Sequence, residues 1–135
     1  GGNTPTANLP MGGFKHTGAA AGTASTDYAT LAQAQTSTSS YAVDAVGTDA
    51  YAITPVPAIT TYTAGQQFSV YPATSNTGAA TLAVSGLTAK SIKKDGNAAL
   101  ADNDIVAGQV FRVVYDGTNF QMLSPIYGCV GQNGQ

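Results

Sequence analysis

The stretch GQVFRVVYDGTNFQML, residues 108–123, carries the most decisive local pattern in the chain. Two alternating runs flank Asp116-Gly117-Thr118-Asn119, a tight-turn signal, so Val110 to Leu123 reads as a β-hairpin. Successive side chains of a strand point to opposite faces. Phe111, Val113 and Tyr115 therefore share one face, Val110, Arg112 and Val114 the other, and Phe120 and Met122 lie together on the returning strand. Arginine is seldom buried without a partner, which makes 111/113/115 the expected core face.

Upstream, the same texture repeats. Tyr51–Ile53, Gln67–Tyr71, Ala80–Val84 and Ala89–Lys93 are strand-length runs containing β-branched or aromatic residues. Turn signals lie among them at Thr63-Ala-Gly65, Ser75-Asn-Thr-Gly78, Ser85-Gly86, Asp95-Gly-Asn97 and Asp102-Asn-Asp104. This spacing predicts a mainly β chain with a small antiparallel β-sandwich or barrel over residues 49–127.

Residues 1–48 differ. Their large apolar residues are Leu9, Met11, Phe14, Tyr28, Leu31, Tyr41, Val43 and Val46, too sparse to enclose a core. Met11–Thr17 reads as a short strand whose paired glycines suggest a bulge or a close backbone approach. Ser25-Thr26-Asp27 offers an N-cap with a carboxylate in the first turn, predicting a helix of about three turns from Asp27 towards Ser37. Tyr28, Leu31, Ala32 and Gln35 then fall on one narrow face, and a helix this short must dock on something. The segment is expected to be a strand-plus-short-helix connector, and the Gly-rich residues 128–135 a flexible tail or linker.

Composition narrows the function classes. The 135 residues are 9% charged with a formal net charge of -2, and every acidic residue is Asp. There is no basic stripe to neutralise phosphates, so nucleic acid is not an expected partner. No run approaches the ~18 apolar residues of a membrane span, so membrane insertion is not expected. Cys129 is the only cysteine, which rules out a disulfide within the chain.

Chemistry-bearing patterns are few. His16 stands alone on its expected strand, and Gly12-Gly13 belongs to no phosphate-binding motif. Asp102-Asn103-Asp104 could ligate Ca²⁺ but lacks the glycine and distal Glu of an EF-hand loop, so an Asx-rich turn is expected there. Lys90, Lys93 and Lys94 run directly into Asp95 and read as a solvated strand end. No paired carboxylates, nucleophile–base arrangement or thiol motif stands out. A non-enzyme without metal or cofactor is expected. Tyr62, Tyr71 and Tyr115, among small polar residues, are candidate glycan contacts, with core or interface packing as the competing use of the same rings.

Residues 8–33 resemble a segment of bacteriophage tail fibres and related tail proteins, carried here by Leu9-Pro-Met-Gly-Gly-Phe-Lys-His-Thr-Gly18 and Ser25-Thr-Asp-Tyr-Ala-Thr-Leu31. A second module common in such fibres resembles Ala79–Gly86, Lys90–Lys94, Ile105–Gln109 and Val114–Gln121. His16 stands where the pattern has an aliphatic residue and Tyr28 where it has alanine. The resemblance implies a homotrimer in the virion, in contact with other tail proteins and presenting loops to a host surface, where a glycan is the candidate receptor. Leu9, Met11, Phe14, Tyr28, Leu31 and Ala32 would then form an intertwined trimeric connector, with the missing core supplied by the partner chains.

Overall fold

A computed structural model describes residues 18, 20–23 and 27–123. Its elements are α1 (Leu31–Thr36), β1 (Tyr41–Asp44), β2 (Ala50–Ile53), β3 (Gln67–Pro72), β4 (Thr81–Val84), β5 (Lys90–Lys94), β6 (Ala98–Ala99), β7 (Phe111–Tyr115) and β8 (Phe120–Met122). Leu9, Met11, Phe14, His16 and Cys129 lie outside the described residues, as does the tail 128–135.

The 108–123 hairpin folds as its alternation dictates. β7 and β8 pair antiparallel with Tyr115 opposite Phe120 and Val113 opposite Met122. Phe111, Val113, Tyr115, Phe120 and Met122 are all buried, while Arg112 is exposed. The turn is held by the Asp116 carboxylate, whose Oδ1 accepts from the Thr118 and Asn119 amides at 2.7 and 2.8 Å. Its Oδ2 accepts from Gln121 Nε2 at 2.6 Å. These bonds, led by the one from Asn119, hold the carboxyl below the usual carboxylate range.

Sheet order is β1-β3-β7-β8-β5-β4-β2, with β6 pairing β5, and the sheet curls into a nearly closed barrel. The expected antiparallel pairing holds for β3/β7, β7/β8, β4/β5 and β5/β6. It fails for β1/β3, β2/β4 and β5/β8, which are parallel. Parallel neighbours need a crossover between them, and residues 45–66, 54–80 and 95–119 supply these as extended and turn-rich chain rather than helix. Positive φ at Ser85 and Gly86 and at Asp95 and Gly96 gives the two short β4–β5 and β5–β6 connections the backbone twist that suits tight reversals.

The core is one cluster running from Tyr51 and Ile53 through Phe68, Val70, Leu82, Val84 and Ile92 to the β7/β8 residues. Phe120 is its centre, with rings of Tyr62, Phe68 and Tyr115 between 5.3 and 6.1 Å away.

Two expectations about the N-terminal region are corrected. β1 lies ahead of residue 49, yet it pairs in full register with β3, Tyr41 opposite Ser69 through Asp44 opposite Pro72. The barrel therefore starts at about residue 41, not 49. The helix is six residues long, not three turns from Asp27, because Thr30 rather than Ser25 or Thr26 caps it. Thr30 Oγ1 accepts from the Gln33 amide at 3.2 Å while Gln33 Oε1 accepts from the Thr30 amide at 2.9 Å, a reciprocal capping box. Ser37, with φ of 53°, ends it in the left-handed conformation.

Candidate functional site

Burial of three polar side chains decides which loops are rigid. Asp44, at the end of β1, is 1% exposed. Its Oδ1 accepts from the Ala52 amide of β2 at 2.7 Å and its Oδ2 from the Gly47 amide at 2.8 Å, so one carboxylate clasps the barrel seam between the two end strands. A Cβ at Gly47 would sit 2.4 Å from the Ala50 carbonyl oxygen and 2.9 Å from Asp44 Oδ2, so only glycine allows this approach.

Asp104 is the second. Residues 102–104 form a turn as expected: Asp104 Oδ2 accepts from the amide of Ala101, three residues earlier, at 2.6 Å and pairs with Lys94 Nζ at 2.5 Å. Lys94 is thus half-buried and paired with Asp104, not a freely solvated strand end. No group of three or more metal-ligating side chains occurs among the described residues. Asn76, the third, bridges the β3–β4 loop to the loop after β6 through Gly78, Ala101 and Ile105.

The tyrosines singled out as glycan contacts separate into two environments. Tyr62 and Tyr115 meet at a ring distance of 5.1 Å inside the aromatic cluster, and Tyr115 is 6% exposed. The Tyr115 hydroxyl donates to the Gly117 carbonyl at 2.9 Å, and the Tyr62 hydroxyl accepts from the Val84 amide at 3.1 Å. Their rings are engaged in packing, the competing use that the sequence left open for them. Tyr71 is 39% exposed and lies on the outward side of β3. It is joined there by Tyr41, equally 39% exposed, which the sequence does not single out because its strand falls in the expected connector. Val43 pairs with Tyr71 across β1/β3, and Val43, Val110 and Leu123 are exposed as well. Tyr41-Ala-Val-Asp44 does alternate, but four residues ending in Asp give no signal of burial at residue 44.

A second exposed surface lies at the helix. Tyr28 is 81% and Leu31 72% exposed, Ala32 is exposed too, and α1 buries none of its residues. Tyr28 precedes the helix, so the expected four-residue face reduces to Leu31, Ala32 and Gln35 on the helix itself. Gln33 secures the preceding strand of chain: its Oε1 accepts from the Gly22 amide at 3.0 Å and its Nε2 donates to the Gly22 carbonyl at 2.9 Å. A cleft of about 320 Å³ results, lined by residues that include Gly22, Asp27, Tyr28, Gln33, Ser39 and Pro57. Among the described residues no helix is long and apolar enough to cross a membrane.

No protein-family model matches the chain, and no curated protein matches it either.

Proposed function

We propose that the protein is a structural module of a bacteriophage tail fibre or related virion tail protein that self-associates through its N-terminal helix region and holds the β-barrels in register for host attachment. One observation carries the self-association: Tyr28 and Leu31 are 81% and 72% exposed beside a helix with no buried residue. A six-residue helix is marginal in water without packing, and large apolar side chains left in solvent mark an interaction surface. The number three and the virion setting rest on the motif resemblance of residues 8–33 and 79–121. Function on this reading is geometric, with the barrel as a rigid spacer and the helix region as the joint.

Light scattering coupled to size-exclusion chromatography tests it. A mass near three times the 13.5 kDa chain is expected, persisting on dilution, with Leu31→Ser shifting it towards one chain. A cooperatively folded monomer at every concentration would overturn the proposal.

A further inference from the structure

The outward side of β7 and its neighbours carries apolar surface that neither the core nor the helix joint uses. Val43 stands opposite Tyr71 across β1 and β3, and the β3/β7 register, with Val70 opposite Phe111, carries that row on to Val110. The Tyr71 hydroxyl lies over the start of β7, 3.6 Å from where a Cβ on Gly108 would be. Leu123 joins from β8, where its amide donates to the Arg112 carbonyl at 2.9 Å. These four side chains, on consecutive strands, are between 39% and 52% exposed. Together they leave a few hundred Å² of apolar surface in water, the size of an interaction site. The face is convex because the sheet curls into a nearly closed barrel, so a second barrel laid on it would touch only a narrow strip. A stable dimer needs about 800 Å² per partner, more than this patch offers. A single extended segment that follows the curl fits it.

We propose that residues 124–130 of the same chain fold back across this face, with Ile126, Tyr127 and Val130 packing on Val110, Tyr71 and Val43. The direction of β8 aims the chain there: it runs antiparallel to β7, so past Leu123 it heads towards the level of Val110 and Tyr71. Pro125 has no N–H with which to continue the ladder to β7, so strand pairing stops at that level. The run Ser124-Pro-Ile-Tyr-Gly-Cys-Val130 contains no charged residue and offers Ile126, Tyr127, Cys129 and Val130 for burial. Its reach is sufficient. With strands about 4.8 Å apart and about 3.3 Å per residue, Tyr71 lies roughly 12 Å and Val43 roughly 16 Å from Leu123, within the extended spans to Tyr127 and Val130. Docked in this way, the segment covers the patch and fixes the path of the chain beyond the barrel. This goes beyond the helix joint and holds for any number of associated copies.

Cys129, the only cysteine, supplies the probe. Val43→Cys or Ser91→Cys is introduced into the full chain, diamide is added to oxidise neighbouring thiols to a disulfide, and the products are separated on a non-reducing gel. Ser91 is the control: it faces outward on β5, on the other side of β8, and by the same spacings lies roughly 14 Å from Leu123, nearer than Val43. An intrachain disulfide is expected to form about tenfold or more faster in Val43→Cys than in Ser91→Cys, and adding Tyr127→Ser should remove that advantage. Val43 and Ser91 both point away from the core, so each variant should keep the wild-type unfolding midpoint. Equal rates at the two positions, as from a segment that samples both sides of β8, would overturn the proposal. So would the lack of an intrachain product in Val43→Cys. A disulfide formed only between chains would overturn it as well and assign the face to the segment of another copy. None of these readouts involves Leu31, so this proposal and the self-association reading can fail separately.

Discussion

Replacing Asn76 by alanine removes a staple that no neighbouring side chain can replace. The residue is fully buried, its Nδ2 donates to the Gly78 and Ala101 carbonyls at 2.7 and 2.8 Å, and its Oδ1 accepts from the Ile105 amide at 2.7 Å. Three hydrogen bonds are lost at about 1 kcal/mol net each, and the Ile105 amide, if it stays dry, raises its own share to about 1–3 kcal/mol. A destabilisation of about 3–5 kcal/mol follows, a large share of the ~5–15 kcal/mol that a domain commands. Asn76→Asp tests the direction of the argument: it keeps the acceptor for Ile105 but sets a carboxylate oxygen against two carbonyls, and should be at least as damaging at pH 7. Urea unfolding at fixed protein concentration, followed by the fluorescence of the seven tyrosines in this Trp-free chain, measures both. With m near 1–2 kcal/mol/M, the alanine midpoint should fall by about 2 M or more. A loss under about 1 kcal/mol for alanine, or a wild-type midpoint for Asn76→Asp, would refute the reasoning.

Other outcomes follow from the remaining buried groups. Asp44→Asn keeps the side-chain shape but turns one acceptor into a donor facing the Ala52 or Gly47 amide; a loss of about 2–4 kcal/mol in urea is expected, with faster amide exchange at Ala52 reporting the opened seam. Lys94→Ala leaves the Asp104 carboxylate buried without its cation and should cost about 3 kcal/mol, read from the same midpoints. Tyr51 is pushed up to about 12, first by burial and then by Asp49 and Asp44. Because the folded state holds that proton more tightly, its contribution is fully present below pH ~10 and is lost as pH rises through 12, so alkaline midpoints should fall, less so in Tyr51→Phe. In acid the sign reverses. Asp49, held low chiefly by the Thr77 hydroxyl at 2.5 Å, and Asp116 contribute stability above pH ~4 that is lost as pH falls through their lowered values, and Thr77→Val should flatten that loss.

Local pattern by itself determined a good deal of this protein. The β7/β8 hairpin, its inward Phe111, Val113, Tyr115, Phe120 and Met122, and strands close to 51–53, 67–71, 80–84 and 89–93 all follow from alternation of period two between turn residues. Such alternation depends only on neighbours along the chain. Which strands pair, and in which direction, depends on residues tens of positions apart, and so the parallel β1/β3, β2/β4 and β5/β8 ladders were legible only in the tertiary structure. The same holds for polar burial. Asp44, Asn76 and Asp104 look like ordinary turn residues until Ala52, Ile105 and Lys94 arrive from elsewhere to satisfy them. Tyr115 and Tyr71 are equally tyrosine in the sequence. Only the curl of the sheet turns one into the aromatic core and leaves the other facing solvent, because a residue's face is local but what covers that face is not.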